Sequence, residues 1–460
     1  MHKYMNPPTS SPVFVRQAVP PAFCRAKLRF LRACVPLAIL YTGCLAFAQQ
    51  ATPPPLSLPQ ATAMAIQSHP QIAAARDTAA NLGQHIVEAK APYYPMVDGE
   101  VTAAQGLGDA RLGAGALSAS QLFNRFGQGL QVTQLLTDFG RTKNLVAQSQ
   151  FQAQAADQNT QATVFDVVLG VNRGYFGVLQ ALAYVNVANE TIKARQTLTD
   201  QVTALAKASL KSQLDVSFAG VNLSEAKLLL IRSQDAVDRA YSDLARSLGQ
   251  EQVVHYNLAA VPSPGVLPGS PEPLIAEAIQ NRPELKGIQL QLQGAQSFER
   301  AEASLSRPTV SAIAVGGGLP YLSQDPRVAP YGYEGAAVNM DIPIFNGHLF
   351  SARKQAAHYQ AQAVSENARN LRQQVENDVR NAWISASTAY QRIPVTDQFL
   401  KQANLALELA QGRYNLGLAS IVDVTQAQLN LTEAQIENVS ATYDYQTAYA
   451  QLQYTIGDLR

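Results

Sequence analysis

Few residues of this chain are able to do chemistry, and their spacing excludes most of it. Asp138-Phe139-Gly140 spells a kinase signature, but no Gly-rich loop or catalytic-loop motif accompanies it, so it reads as a strand end with a turn glycine. Gly316-Gly317-Gly318 is no phosphate cradle, because no helix start carrying Gly-Lys-Ser/Thr follows. His69, His85, His255, His348 and His358 are scattered, without an HExxH pair or other metal-ligand spacing. No G-x-S-x-G elbow is present. These patterns point away from an enzyme, a cofactor or a bound metal. Two aspartates remain, Asp215 and Asp423, each followed by valine and 208 residues apart. In a helix they fit the N-cap or first turn, where the dipole favours a carboxylate.

The elements that would carry them begin after a leader. Arg25, Lys27, Arg29 and Arg32 precede an apolar run from Ala33 to Leu45 that ends in Ala46-Phe47-Ala48. Basic region, short apolar core and A-x-A site predict a secretory signal over residues 1–48, too short to span a bilayer. Cys24, Cys34 and Cys44 all fall inside it, so the exported chain lacks disulfides and thiol chemistry. An alternative makes Cys44, after Gly43, a lipidated first residue, although Tyr41 fits such a signal poorly. With 35 basic and 34 acidic residues and only 15% charged, against about 25% in ordinary domains, a nucleic-acid partner is excluded. No run of 18 apolar residues follows residue 50, which leaves alternating strands as the means of crossing a membrane.

The rest is one unit written twice. Ala65-Ile66-Gln67-Ser68-His69-Pro70 returns 213 residues later as Ala278-Ile279-Gln280-Asn281-Arg282-Pro283. Farther on the offset is 208, carrying Tyr175 onto Trp383, Asp215 onto Asp423, Ala219 onto Ala427 and Gly249 onto Gly457. The domains are read as a first repeat over 49–250, a Pro-rich connector over 251–273 and a second repeat over 274–460. Each repeat reads short helix, strand, strand, very long helix, second long helix. The first very long helix runs from Arg141 to about Leu205, roughly 100 Å; its counterpart runs from His348 to Arg413, with a kink expected at Pro394.

The second long helices carry heptads. Val216, Leu223, Leu230, Val237 and Leu244 fall seven apart, each followed three residues later by a small one. Val424, Leu431 and Leu452 keep the pattern, and Leu429, Ile436 and Tyr443 add a second apolar seam. Such a period gives a left-handed supercoil, and two seams suit a stave with a neighbour on each side. One seam alone is equally explained by an antiparallel coiled-coil hairpin. The alternating stretches Val97–Ala103, Leu130–Leu135, Val310–Gly318 and Glu334–Ile344 tip the balance toward a barrel. They predict four strands, separated within each pair by the loops Gly106–Asn124 and Leu319–Tyr331. Four strands cannot close a barrel, and lipid does not tolerate open edges, so membrane strands of this kind must be pooled between chains.

Across residues 56–457 the arrangement resembles the TolC-like outer-membrane efflux proteins. The most specific stretch runs from Arg413-Tyr414-Asn415-Leu416-Gly417-Leu418-Ala419-Ser420 to Ile421-Val422-Asp423-Val424-Thr425-Gln426-Ala427-Gln428. It is similar to the family's helix–turn–helix at the periplasmic tip. Asp138-Phe139-Gly140-Arg141 and Phe345-Asn346-Gly347 look like its exits from strand into long helix. The resemblance implies a mainly α fold with a membrane β-barrel portion: long antiparallel helices forming an α-barrel, and four strands per chain pooled into a homotrimeric twelve-stranded barrel in outer-membrane lipid. It implies a duct for small-molecule efflux or type I protein secretion, served by a periplasmic adaptor and an inner-membrane RND, MFS or ABC transporter. A soluble periplasmic coiled coil is the rival from another class.

The resemblance also assigns a closable aperture to Tyr414, Asp423, Asp215 and Gln426. It assigns adaptor contact to Gly417, Leu418, Ala419 and Ser420 in the second repeat and to Ser209, Leu210, Lys211 and Ser212 in the first. The chain departs from the pattern at Ala419, where some members carry arginine, and at Gln426, where they carry a second carboxylate. The first tip, Lys207–Ser212, also has no glycine equivalent to Gly417. Three Asp423 carboxylates at a narrow mouth would attract cations and hold protons more tightly than isolated ones.

Overall fold

The computed structural model describes residues 55–104, 111–112, 120–121, 125–265, 267–322 and 332–459. The leader with Cys44, and most of both strand-connecting loops, lie outside the described residues. The first repeat comprises α1 (Leu58–Ser68), α2 (Pro70–Lys90), β1 (Met96–Ala104), β2 (Arg111–Leu112), β3 (Ser120–Gln121), β4 (Arg125–Thr137), α3 (Arg141–Lys207) and α4 (Gln213–Ser247). The second comprises α5 (Glu272–Asn281), α6 (Pro283–Ala303), β5 (Thr309–Leu322), β6 (Gly332–Asp341), α7 (Leu349–Asn415) and α8 (Ile421–Ile456).

Three readings need correction. Each repeat opens with two helices, not one, because Pro70 and Pro283 stand at the first position of α2 and α6 and hold the preceding residue extended. The last strand stops at Asp341 short of Ile344, since Pro343 has no N–H for a ladder. α7 begins at Leu349, with His348 as a left-handed N-cap, and holds Pro394 inside it.

The four main strands form one antiparallel sheet in the order β1-β4-β5-β6. The pairing register puts Val97, Val101, Leu130, Val132, Val310, Ala312, Ala314, Val338 and Met340 on one face, with Gln128, Gln134 and Glu334 among them. Asp98, Glu100, Thr102, Gln131, Thr133, Ser311, Asn339 and Asp341 share the other, with Ile313 and Val315 among them. Gly317 serves a close approach: the Tyr333 ring covers it and Gly129, so a Cβ at either position would strike the ring.

The helices continue the strand order. α3 packs against α2 and α6 along its first part, through contacts such as Thr160 to the Ala75 carbonyl and Gly294 against Phe151. Farther along it packs against α4 and α8, where Gly174 meets Leu244 and Thr191 meets Thr432. α8 packs against both α7 and α3, as its two apolar seams require. The lower staves therefore run α4-α3-α8-α7 below α2-α3-α6-α7.

Short and long helices meet end to end in alternate staves. α4 ends on Gly249 and α8 on Gly457, both left-handed, with φ of +71° and +77°. A Cβ at Gly249 would stand 2.9 Å from the His69 Cα, and one at Gly457 3.2 Å from the Arg282 backbone. The end of α4 thus abuts the start of α2, and the end of α8 abuts α6. Around this height the Pro-rich connector, poor in its own N–H donors, is held by side chains. Tyr175 donates to the carbonyls of Leu56 and Ala259 at 2.7 Å each, and Trp383 to that of Pro268 at 3.0 Å. These aromatics occupy equivalent positions of the two repeats, each holding the segment that leads into its own repeat. Tyr241 donates to the Tyr256 carbonyl and Tyr445 to that of Gly265.

Gly249→Ala is expected to lower stability by about 1–3 kcal/mol, through a left-handed residue and a backbone clash together. Gly177→Ala, whose Cβ would enter open space on α3, is expected to raise it by about 0.5–1 kcal/mol. Thermal unfolding followed by the helical signal checks the opposite signs.

Candidate functional site at the helical tips

The two hairpins α3/α4 and α7/α8 turn by the same hydrogen-bond scheme. Leu210 N–H donates to the Leu205 carbonyl at 2.9 Å and Ser209 N–H to that of Ala206 at 3.0 Å. Leu418 N–H donates to Arg413 at 2.8 Å and Gly417 N–H to Tyr414 at 3.0 Å. This is the Schellman closure, which needs one left-handed residue. Gly417 supplies it at φ +72°, and Ser209, the residue equivalent to it, supplies it at φ +61° despite its Cβ. The apolar residue after each left-handed position usually folds back on its own helix. Here Leu210 and Leu418 are 69% and 67% exposed.

Both aspartates cap. Ser212 and Ser420 are N-caps, and Asp215 and Asp423 complete capping boxes three residues on. Asp215 accepts from Ser212 N–H at 3.1 Å, and Asp423 from Ser420 N–H at 2.7 Å and its hydroxyl at 2.9 Å. These bonds from Ser420, with the Arg413 charge nearby, hold the Asp423 carboxyl below the usual range. In the single chain this is opposite in direction to the crowding of like charges in a ring.

The structure brings Tyr414, Asp215 and Lys211 together. Tyr414 is buried among Leu198, Val202, Ile421 and Val424, which joins one hairpin to the other. Lys211 Nζ lies 4.1 Å above its ring. Burial, and then the Asp215 charge, raise the Tyr414 pKa, and its hydroxyl has no hydrogen-bond partner in the chain. Gln201 reaches Asn415 at 3.1 Å beside it. Gln426 stands apart, exposed and bonded to Asn430 at 2.9 Å. Ala419 packs at the edge of the Tyr414 cluster, while Gly417 and Ser420 are exposed.

A polar group that the sequence reading missed lies above the tyrosine. Arg195, buried on α3, donates to the Asn222 carbonyl at 2.7 Å and approaches Glu225 at 3.5 Å. Burial lowers its pKa, and Glu225 opposes that. Asn222 donates to Thr425 at 3.3 Å across the hairpins, and Gln428 is buried on α8 facing α3. A signal existed: Thr191, Arg195, Leu198 and Val202 follow a 4-3-4 spacing, so a charge interrupts the buried stripe of α3.

The histidines are used locally. His69 accepts from Gln71 N–H at 3.2 Å, His85 pairs with Glu88 and His358 with Glu299, and His255 stacks on Tyr241 at 4.3 Å. Among the described residues no group of three or more potential ligands forms a metal site, and no helix is long and apolar enough to cross a membrane.

The model of the outer membrane efflux protein family matches residues 62–250 and 274–458. Outer membrane protein TolC of Escherichia coli is 24% identical over 411 residues, covering 85% of this chain and 80% of that protein. The cation efflux system protein CusC of another Escherichia coli strain is 22% identical over 395 residues, 81% of each. The solved structure of the outer membrane protein VceC from Vibrio cholerae superposes with a TM-score of 0.73 at 17% identity, over 87% of this chain and 96% of that one.

Ser209→Gly is expected to stabilise the first tip by about 1 kcal/mol, the cost of a left-handed side-chain-bearing residue, read as a higher unfolding midpoint. Asp423→Ala tests the cap through pH. A depressed carboxyl stabilises above its unfolded pKa, about 4, and that contribution vanishes as pH falls through the lower folded value. The deficit of the variant in unfolding midpoint should be full near neutrality and shrink on acidification below about pH 4.

Proposed function

We propose that this chain, which belongs to the outer membrane efflux protein family, is the outer duct of a tripartite pump that exports small molecules from the periplasm to the exterior. The observation that carries this reading is the sheet: one face mostly apolar, the other mostly polar, and two edges with no partner strand among the described residues. Pooling three chains makes a twelve-stranded barrel with apolar residues toward outer-membrane lipid and polar ones toward the lumen. The edge staves fit this assembly. α4 exposes Leu214, Phe218, Val221, Leu228 and Ile231, and α7 exposes Val395, Phe399, Leu405 and Leu409. These faces would meet between neighbouring copies and close the α-barrel in the periplasm.

Residues 1–48 are then the removed export signal, ahead of the first repeat, connector and second repeat. Leu210 and Leu418, with the flanking tip residues, would dock an adaptor that couples the duct to an inner-membrane RND, MFS or ABC transporter. Tyr414 and Asp215 would hold the aperture by tying hairpin to hairpin, and Asp423 would face the mouth. A second use of the same duct, type I protein secretion, differs in the partner alone.

The assembly should require detergent for extraction and migrate as a heat-sensitive oligomer; a freely soluble chain would return the reading to a periplasmic coiled coil. Asp423→Ala is expected to weaken block of single channels by divalent cations in a lipid bilayer, and unchanged block would leave Asp423 with capping alone. A cysteine replacing Ser420, cross-linked in living cells and identified by mass spectrometry, should capture an adaptor. An adaptor paired with an ABC exporter would favour protein secretion over efflux, and capture of none across several tip positions would overturn the tip assignment.

A further inference from the structure

A recess of about 400 Å³ opens in the upper wall and borders all four staves there, from Leu82 on α2 to Gln360 and Val364 on α7. α3 and α6 stand between those two, so a recess that reaches both lies on the hollow side of the curved wall. Its volume falls in the range of small-molecule sites, roughly 300–1,000 Å³. Gly287 and Gly294 shape its floor. A Cβ at Gly287 would stand 3.3 Å from the Asn159 side chain, and one at Gly294 3.5 Å from Phe151. The two glycines therefore let α6 lie close against α3 with no larger side chain in the way.

Among the described residues no charged side chain borders the recess. Five amides do: Gln148, Gln152 and Asn159 from α3, Gln291 from α6 and Gln360 from α7. No side-chain hydrogen bond within the described residues occupies any of them. Each amide both donates and accepts, so together they match hydrogen-bonding groups of either kind. Between them Phe298 offers a ring, and Leu82 and Val364 offer aliphatic surface. Glu299, next to Phe298, is engaged by His358 at 3.0 Å. The recess between α2 and α3, by contrast, has Arg76 and Asp157 in its walls. An ion entering a site without a countercharge gives up hydration that nothing there replaces. An uncharged ring with polar groups at its edge finds both an apolar bed and hydrogen-bond partners. We infer that this recess is a binding site for uncharged, partly aromatic molecules with hydrogen-bonding groups at their edge. As a stopping place for cargo on the lumen wall it rests on the duct reading; as a site it does not.

The test uses the intact protein, whose native cysteines all lie at or before position 44. Ala295→Cys puts a thiol in the wall of the recess, where its reaction with the neutral reagent methyl methanethiosulfonate is followed by mass spectrometry. 1-Naphthamide, an uncharged ring bearing one amide, should slow that reaction about tenfold at roughly ten times its dissociation constant. 1-Naphthoate and 1-naphthylmethylammonium, the same ring with a negative and a positive charge, should leave it within about twofold at that concentration. Phe298→Ala should abolish the protection, and Gly177→Cys, outside the recess, should show none. Equal protection by either ion would overturn the uncharged class. No protection by 1-naphthamide, or protection that survives Phe298→Ala, would overturn the site. A protein that extracts without detergent would count against the duct, while the protection result still decides the site.

Discussion

The backbone amides and carbonyls along the outer sides of β1 and β6 have no strand to pair with among the described residues. In hydrocarbon each such group costs several kcal/mol, so a sheet there must close on itself. Four strands are too few. This constraint makes the chain one sector of a ring, and the remaining features serve a sector: edge staves with apolar residues facing outward, central staves that complete their packing inside the chain, and hairpins that turn in the same way at the same end.

Within the sector, two kinds of contact divide the labour. Apolar seams at heptad spacing hold the staves side by side, with small residues such as Ala219, Ala226, Ala434 and Ala441 buried where backbones approach. Side-chain hydrogen bonds to carbonyls hold what has no ladder of its own, above all the proline-rich connector. Polar contacts also join the staves along their length, from Arg353–Glu302 and Tyr454–Asp166 through Tyr184–Ser440 to Asn222–Thr425 near the tips.

Much of this was legible in the residues. The offset of 208 that aligned Tyr175 with Trp383 and Gly249 with Gly457 marked pairs with shared physical tasks, anchoring a connector and ending a stave. Alternation placed the strands, but not the end of β6, where one proline overrides the pattern. Asp215 and Asp423 stand in the first turn, one of the two places read for them, held there by capping boxes with Ser212 and Ser420. Other features are not written locally. Whether Tyr414 points into a lumen or between hairpins depends on the rotation of α7, set by contacts some 200 residues distant in sequence. The first tip lacks the glycine, yet the hydrogen bonds of the helix end impose the same turn on Ser209. Gln428 stands on α8 among other polar residues such as Gln426 and Asn430, and its burial shows only once α3 lies across it.

The end-to-end joints at Gly249 and Gly457 have a mechanical meaning. α3 and α7 are single 67-residue helices, each covalently continuous from sheet to tip. The staves beside them are each built of two helices touching at a glycine, with no peptide bond across the joint. Torque applied at the periplasmic end therefore travels to the barrel through only two of the four staves. The others can pivot where their halves meet.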